Sequence, residues 1–267
     1  LAKITFVYPH KTKPVTVTGP HCALNCAHCG GHYLKSMLPV EKIPNLQEVK
    51  SLLISGGCTK DGKVPWLKHA EFLADQKGNL KYNFHVGLID DDREIDLLAQ
   101  IADTVSFDFV IDDETIAKVY HLNKTGEDYL NTYRKLKTKV PVLPHITVGL
   151  LGGEIKGEFE AIKALLEFNP PAIVFIIFRP TPDTDFSDRQ PPEIANVVEV
   201  FEYSRKLFPK TPLYLGCMRP GGEYRKEIDL KALELGFARI VQPHPEVVKK
   251  ARELGYEIEE AGECCVL

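Results

Sequence analysis

Three cysteines lie in the run His21-Cys22-Ala-Leu-Asn-Cys26-Ala-His28-Cys29-Gly30-Gly31. Cys-x3-Cys-x2-Cys spacing sets three thiolates on a short arc, suited to three of the irons of a cubane cluster. The fourth iron is then left without a protein ligand, whereas electron-carrying clusters fill all four positions with Cys. An iron open to a small molecule is a redox tool. Structural zinc is the competing use of such a loop. It normally draws on two ligand pairs, and here only His28 and His32 stand ready to complete a set. A disulfide framework is a poor fit, because the chain has seven cysteines and an enzyme-sized length.

Elements that would position this loop follow from periodicity. Short β-branched runs occur at Val15–Thr18, Ser51–Ser55, Tyr82–Leu88, Thr104–Ile111, Leu143–Leu150, Ala172–Phe178, Leu213–Leu215 and Arg239–Val241. Between them apolar residues recur at three- and four-residue steps, which predicts helices at Arg93–Ala102, Asp128–Lys137, Glu158–Phe168, Glu193–Phe208, Leu230–Leu235 and Glu246–Leu254. Gly78, Gly236 and Gly255 mark helix ends, and Pro141, Pro170, Pro171 and Pro212 precede strands. Eight strands alternating with helices over 267 residues predict an α/β fold, a parallel (β/α)8 TIM-type barrel, complete or nearly so, with a partial (β/α)6 barrel as the alternative. One domain is expected over 1–267, with a cysteine-containing tail over about 256–267 and no internal repeat or linker.

Bulk properties narrow the field. Net charge is −4 with no Lys/Arg cluster, which argues against nucleic acid. The longest apolar run, Ala172 to Phe178, has strand length, so no membrane span is expected. No secretory signal pattern precedes the first strand, and a trimmed natural start is expected at Leu1. The expected location is the cytoplasm, where thiols stay reduced.

The cysteine triplet resembles the signature of the radical S-adenosylmethionine (SAM) enzymes, with His28 where that family usually has an aromatic residue. The resemblance implies a 4Fe–4S cluster on Cys22, Cys26 and Cys29 whose open iron chelates SAM, and reductive cleavage of SAM to a 5′-deoxyadenosyl radical. Ser55-Gly56-Gly57-Cys58-Thr59 resembles the family's Gly-Gly-Glu segment, with Cys58 in place of Glu. Two glycines there allow a backbone to approach a ligand closely. Ile146-Thr-Val-Gly149-Leu-Leu-Gly152-Gly153-Glu154 resembles the adenine-side segment of the biotin synthase-like subgroup, without its first Gly. SAM contacts are thus expected from Gly56, Gly57, Thr59, Gly149 and Glu154. Asp90 and Asp112 end strands, where a carboxylate either holds ribose hydroxyls or caps the next helix.

Four cysteines remain outside the triplet: Cys58, Cys217, Cys264 and Cys265. Four is the ligand count of a complete auxiliary cluster. The alternative is small packed thiols. Arg179, Arg219 and Arg225 flank the later strand ends, as substrate-holding or cluster-adjacent cations or as partners in salt bridges. His145, inside an apolar strand, reads as a satisfied core residue. Cys264-Cys265-Val266-Leu267 also fits a prenylation pattern, but the preceding glutamates would repel an anionic leaflet.

The compact length, the Gly216-Cys217-Met218-Arg219-Pro220 segment and the terminal Cys pair look most like the two-protein, archaeal-type lipoyl synthase. That resemblance implies sulfur insertion into an octanoyl chain on a carrier lysine, a second radical SAM protein as partner, and an electron donor such as ferredoxin or flavodoxin. The rival within enzymes is a single-cluster mutase or lyase resembling methylornithine synthase or the hydrogenase maturases. Outside enzymes the rival is a metal-binding scaffold.

Overall fold

The computed structural model describes residues 2–267. Eleven strands form one sheet: β1 (Lys3–Val7), β2 (Thr12–Thr16), β3 (Leu38–Pro39), β4 (Ser51–Ser55), β5 (Lys81–Phe84), β6 (Thr104–Asp108), β7 (Val142–Val148), β8 (Ile173–Ile177), β9 (Leu213–Leu215), β10 (Arg239–Val241) and β11 (Glu257–Ala261). Among the described residues eight α-helices accompany them: α1 (Ala70–Lys77), α2 (Asp92–Ile101), α3 (Asp113–Tyr120), α4 (Gly126–Leu136), α5 (Glu158–Ala164), α6 (Ile194–Leu207), α7 (Gly222–Glu234) and α8 (Pro245–Glu253).

All strand pairs are parallel, in the order β11-β1-β10-β9-β8-β7-β6-β5-β4-β2-β3. The eight strands expected from the sequence are neighbours in chain order, as βαβ units require. Three more strands, β1, β3 and β11, extend the two edges. The edges β3 and β11 do not pair with each other, so the expected parallel barrel is curled but not fully closed, which also agrees with the partial alternative. The sheet nevertheless curls far enough for its ends to meet. Beyond β11, the Lys11 N–H donates to Gly262 O at 2.8 Å and the Cys264 N–H donates to Thr12 Oγ1 at 2.7 Å. The tail thus bridges the seam between β1 and β2.

Alternation along the strands separates two environments. Leu52, Ile54, Tyr82, Phe84, Val105 and Phe107 face the helices and are buried there. The opposite face looks into the barrel and is polar: Asn83 Nδ2 donates to Ser106 Oγ at 3.0 Å and reaches Cys264 Sγ at 3.7 Å. His85, Ser106, Asp108 and His145 share that interior. A second small apolar cluster of Val7, Leu143, Ala172, Val174, Val241, Cys265 and Val266 fills it where the tail enters.

Helix starts use the expected chemistry. Asp112 Oδ2 accepts from the Thr115 N–H at 2.8 Å, and Thr125 with Asp128 forms a capping box before α4. α7 starts eight residues earlier than the periodicity predicts, because its first turns are polar and half-exposed.

Candidate metal and cofactor site

The residues after β2 form the cysteine loop. Left-handed backbone at Asn25, Gly30 and Gly31 curls it tightly. The N–H groups of Cys29 and Gly30 both donate to Cys26 O, at 3.1 and 2.8 Å. As a result the ligand atoms of Cys26, His28 and Cys29 lie within 4.8 Å of one another. Cys22 lies across the same cavity and accepts the Cys58 N–H at 3.4 Å. The cavity has a volume of about 190 Å³ and is also walled by Gly56, Gly57, His85, Ser106, Asp108 and Tyr120.

Gly57 is the tightest point of the cradle. A Cβ there would stand 1.9 Å from His21 O and 2.5 Å from Cys22 Cα. Only glycine lets the β4 turn lie against the cysteine loop, and the Gly57 N–H donates to Thr18 Oγ1 at 2.7 Å. His28 sets its ring edge-on to Tyr120, with centroids 5.7 Å apart, as an aromatic residue would. Its buried Nδ1 has no hydrogen-bond partner, so a polar group belongs at this spot. His32 is exposed and packs edge-on to Tyr33, so the zinc set that needs both histidines is not assembled.

Electrostatics favour thiolate at the loop. The hydrogen bond from Cys26 draws Cys29 down to about 4, and His28 lowers it further against the opposing effect of burial. Cys26 is raised by the same contact and by its burial. Metal binding needs the thiolate, so one ligand is already poised. Three thiols lining one cavity, an unpartnered buried nitrogen and adjoining open space fit an iron–sulfur cluster together with a small ligand.

Sequence-based site residues fall into two groups. Cys22, Cys26, Cys29, Gly56, Gly57 and Cys58 come together in this cavity. Thr59, Asp112, Gly149 and Glu154 do not line it. The Thr59 N–H donates to Lys63 O, and Thr59 faces a separate depression beside Asp61 and Lys124. Asp112 caps α3, the capping alternative of the two considered. Gly149 stays on the same rim, at the end of β7, but lies against Pro192, whose Cγ a Cβ there would meet at 2.8 Å. Glu154 is exposed, beside Arg189 and Glu193. The carboxylate that organises this loop is Glu158, which accepts the N–H groups of Gly149 at 2.7 Å and Lys156 at 2.7 Å.

The four cysteines outside the triplet separate as well, which corrects the expectation of one shared site. Burial pushes the Cys58 thiol up to about 12, with the charges of Cys22, Asp108 and Cys29 adding to the shift, so it belongs to the first cavity. Cys217 lies beside Cys264 and Cys265 instead, near enough for the thiols to act on one another's charge. Cys217 has access to solvent although protein surrounds it, as befits a side chain facing the barrel interior.

Of the three arginines, Arg219 is completely buried and makes a bidentate pair with Asp229, at 2.7 and 2.9 Å. It also donates to Gly216 O and Val241 O, tying the ends of β9 and β10 together. Its guanidinium is therefore structural and does not face a substrate. Arg225 is half-buried against carbonyl oxygens, and Arg179 is exposed.

Asp108, His85 and His145 were not anticipated as site residues. The two imidazoles lie edge-on with centroids 5.8 Å apart, and burial holds both down at about 4. Burial raises Asp108. Their signal in the sequence was a polar residue at alternate positions of otherwise apolar strands, at the ends of β5 and β6 and within β7.

No family model and no curated protein matches the chain. Solved structures do. Methylornithine synthase (PylB) superposes with a TM-score of 0.67 at 14% identity, over 97% of this chain and 84% of that one. The hydrogenase maturase HydG gives 0.67 at 16% identity, over 96% of this chain and 65% of its own length. SuiB of Streptococcus suis, solved bound to S-adenosylmethionine, gives 0.59 at 11%, over 82% and 52%. The chain thus shares the curled parallel α/β barrel fold of these solved structures.

Proposed function

We propose that the chain is a radical SAM enzyme that inserts sulfur at an unactivated carbon, in the manner of lipoyl synthases. The observation that carries the first half is the single cavity holding Cys22, Cys26 and Cys29 against the Gly56-Gly57 cradle. In this reading Cys22, Cys26 and Cys29 hold a 4Fe–4S cluster, and Gly56 and Gly57 offer backbone groups to SAM. When bound, the pair supplies one-electron cleavage of the sulfonium and a radical able to take hydrogen from carbon. The residues of the chain do the rest. Tyr120 and Tyr129 wall the cavity and keep water from the reacting atoms. Asp108 presents its carboxyl group to the same space, from the end of β6.

The sulfur-inserting half rests on Cys217, Cys264 and Cys265, three thiols brought to the barrel interior from chain segments far apart in sequence. They would hold a second cluster, consumed as the sulfur-donating substrate. The acyl substrate would be an octanoyl-lysine on a carrier protein or peptide, with a second radical SAM protein and a ferredoxin or flavodoxin as partners. Likeness over nearly the whole chain to methylornithine synthase favours a second reading, a single-cluster mutase or lyase.

Anaerobic reconstitution separates the two. Sulfur insertion expects about eight irons per chain, and the single-cluster reading about four. A scaffold protein would leave SAM uncleaved, so formation of 5′-deoxyadenosine by the reduced protein excludes it.

A further inference from the structure

Cys58 occupies an unusual place. It follows the glycine cradle, where the resembling segment has Glu, and its side chain walls the cavity that holds the triplet. Two hydrogen bonds zip the segments together: the Ala23 N–H donates to Cys58 O at 2.8 Å and the Cys58 N–H donates to Cys22 Sγ at 3.4 Å. Gly57 permits this contact, because any side chain there would collide with His21 O. Cys58 is a free thiol, close enough to the triplet for its charge to act at Cys26 and for the charges of Cys22 and Cys29 to act on it. One cavity therefore holds four thiols, the ligand number of a fully protein-bound 4Fe–4S cluster.

We propose that Cys58 is a fourth, displaceable ligand, which caps the iron left open by the triplet until SAM enters. The exchange is one of ligands alone. The Cys58 sulfur–iron bond breaks and the thiolate takes up a proton. The ammonium of SAM gives up a proton, and its amine and carboxylate bind in place of the thiolate. No electron moves. The cap would shield the open iron from oxidants while SAM is absent, and would make SAM compete for its own site. If about nine-tenths of the protein is capped, the apparent SAM affinity is lowered about tenfold. The proposal rests on the triplet holding a cluster, not on the choice of reaction that follows.

The test compares reconstituted wild-type holoprotein with Cys58→Ala and Cys58→Ser under anaerobic conditions. In a Cys264→Ala/Cys265→Ala background, which leaves only the triplet cluster, mild ferricyanide oxidation without SAM is expected to remove one iron from both variants and give a three-iron EPR signal, while the protein that keeps Cys58 retains four. Cys58→Ala is also expected to bind SAM about tenfold more tightly in an equilibrium titration, since nothing is displaced. Equal three-iron signals and equal SAM affinities in wild type and both variants overturn the proposal. So does loss of all iron from both variants, which would make Cys58 a permanent ligand. A wild type that binds no iron overturns the triplet reading itself, and the proposal with it.

Discussion

Replacing Gly57 by alanine is the sharpest structural perturbation of the site. The new Cβ would lie 1.9 Å from His21 O, 2.5 Å from Cys22 Cα and 2.6 Å from His21 C, all backbone atoms. No rotamer relieves such a clash. To restore even a tight contact the cysteine loop must retreat by about 1 Å, and forced overpacking of this kind costs about 1–3 kcal/mol. A shift of about 1 Å in positioned reactants is worth roughly 100-fold in rate. Two other glycines calibrate the effect. At Gly56 the new Cβ meets Val17 Cγ2 at 3.0 Å and Thr18 Oγ1 at 3.1 Å, side-chain atoms that can turn aside. At Gly221 it meets nothing within 4 Å. The assay is 5′-deoxyadenosine formation per bound iron, with reductant and SAM in excess. The expected order of loss is Gly57→Ala, about 100-fold, then Gly56→Ala, then Gly221→Ala with none. Wild-type rates from Gly57→Ala would show that the cradle does not position the cysteine loop, and would refute the reasoning.

Other outcomes follow from the same geometry. Arg219→Ala leaves Asp229 buried and unpaired, and is expected to cost about 3–5 kcal/mol in a denaturant titration. A loss below ~1 kcal/mol would mean that the pair is not buried as described. His85 is held down at about 4 by burial, against 6.5 for the free side chain, so the unfolded chain binds the extra proton first. Its contribution to stability is whole above about pH 6.5 and lost as the pH falls towards 4, and His85→Gln should flatten that slope in the metal-free protein. Truncation after Gly262 should halve the iron content while sparing SAM cleavage. Full iron and full sulfur transfer in that variant would make the tail cysteines bystanders and leave the single-cluster reading.

Much of this was legible in the sequence because its causes are local. Cys22, Cys26 and Cys29 are held by a loop of a few residues whose turns need Gly30, Gly31 and Asn25, so their spacing predicted that they line one cavity, with Cys26 and Cys29 close together. The eight central strands were visible as β-branched runs, and their chain-order neighbouring follows from the helices that alternate with them. The edges were harder to see. β11 is Glu-Ile-Glu-Glu-Ala, an acidic run that forms a strand by pairing with β1 from Lys3↔Glu257 to Val7↔Ala261. Its tertiary partner supplied what propensity did not.

Site residues chosen by motif fared worse where the motif was loose. Glu154 matched by letters, yet Glu158 makes the bonds, because a buried carboxylate must be satisfied and the loop amides nearest β7 are its donors. Cys58 was grouped with the other spare cysteines by count, whereas packing at Gly57 sends it to the triplet. The interior residues His85, Asp108 and His145 come from separate strands. Only the barrel's curvature shows that they face one another.

Reductive cleavage of SAM at the cysteine triplet is the centre of this account. Its most direct test is 5′-deoxyadenosine formation by anaerobically reconstituted wild type and Cys26→Ala, each supplied with SAM and dithionite, with iron measured in the same samples. The account predicts 5′-deoxyadenosine from the iron-replete wild type and none from Cys26→Ala. No product from an iron-replete wild type, or equal product from Cys26→Ala, would contradict it.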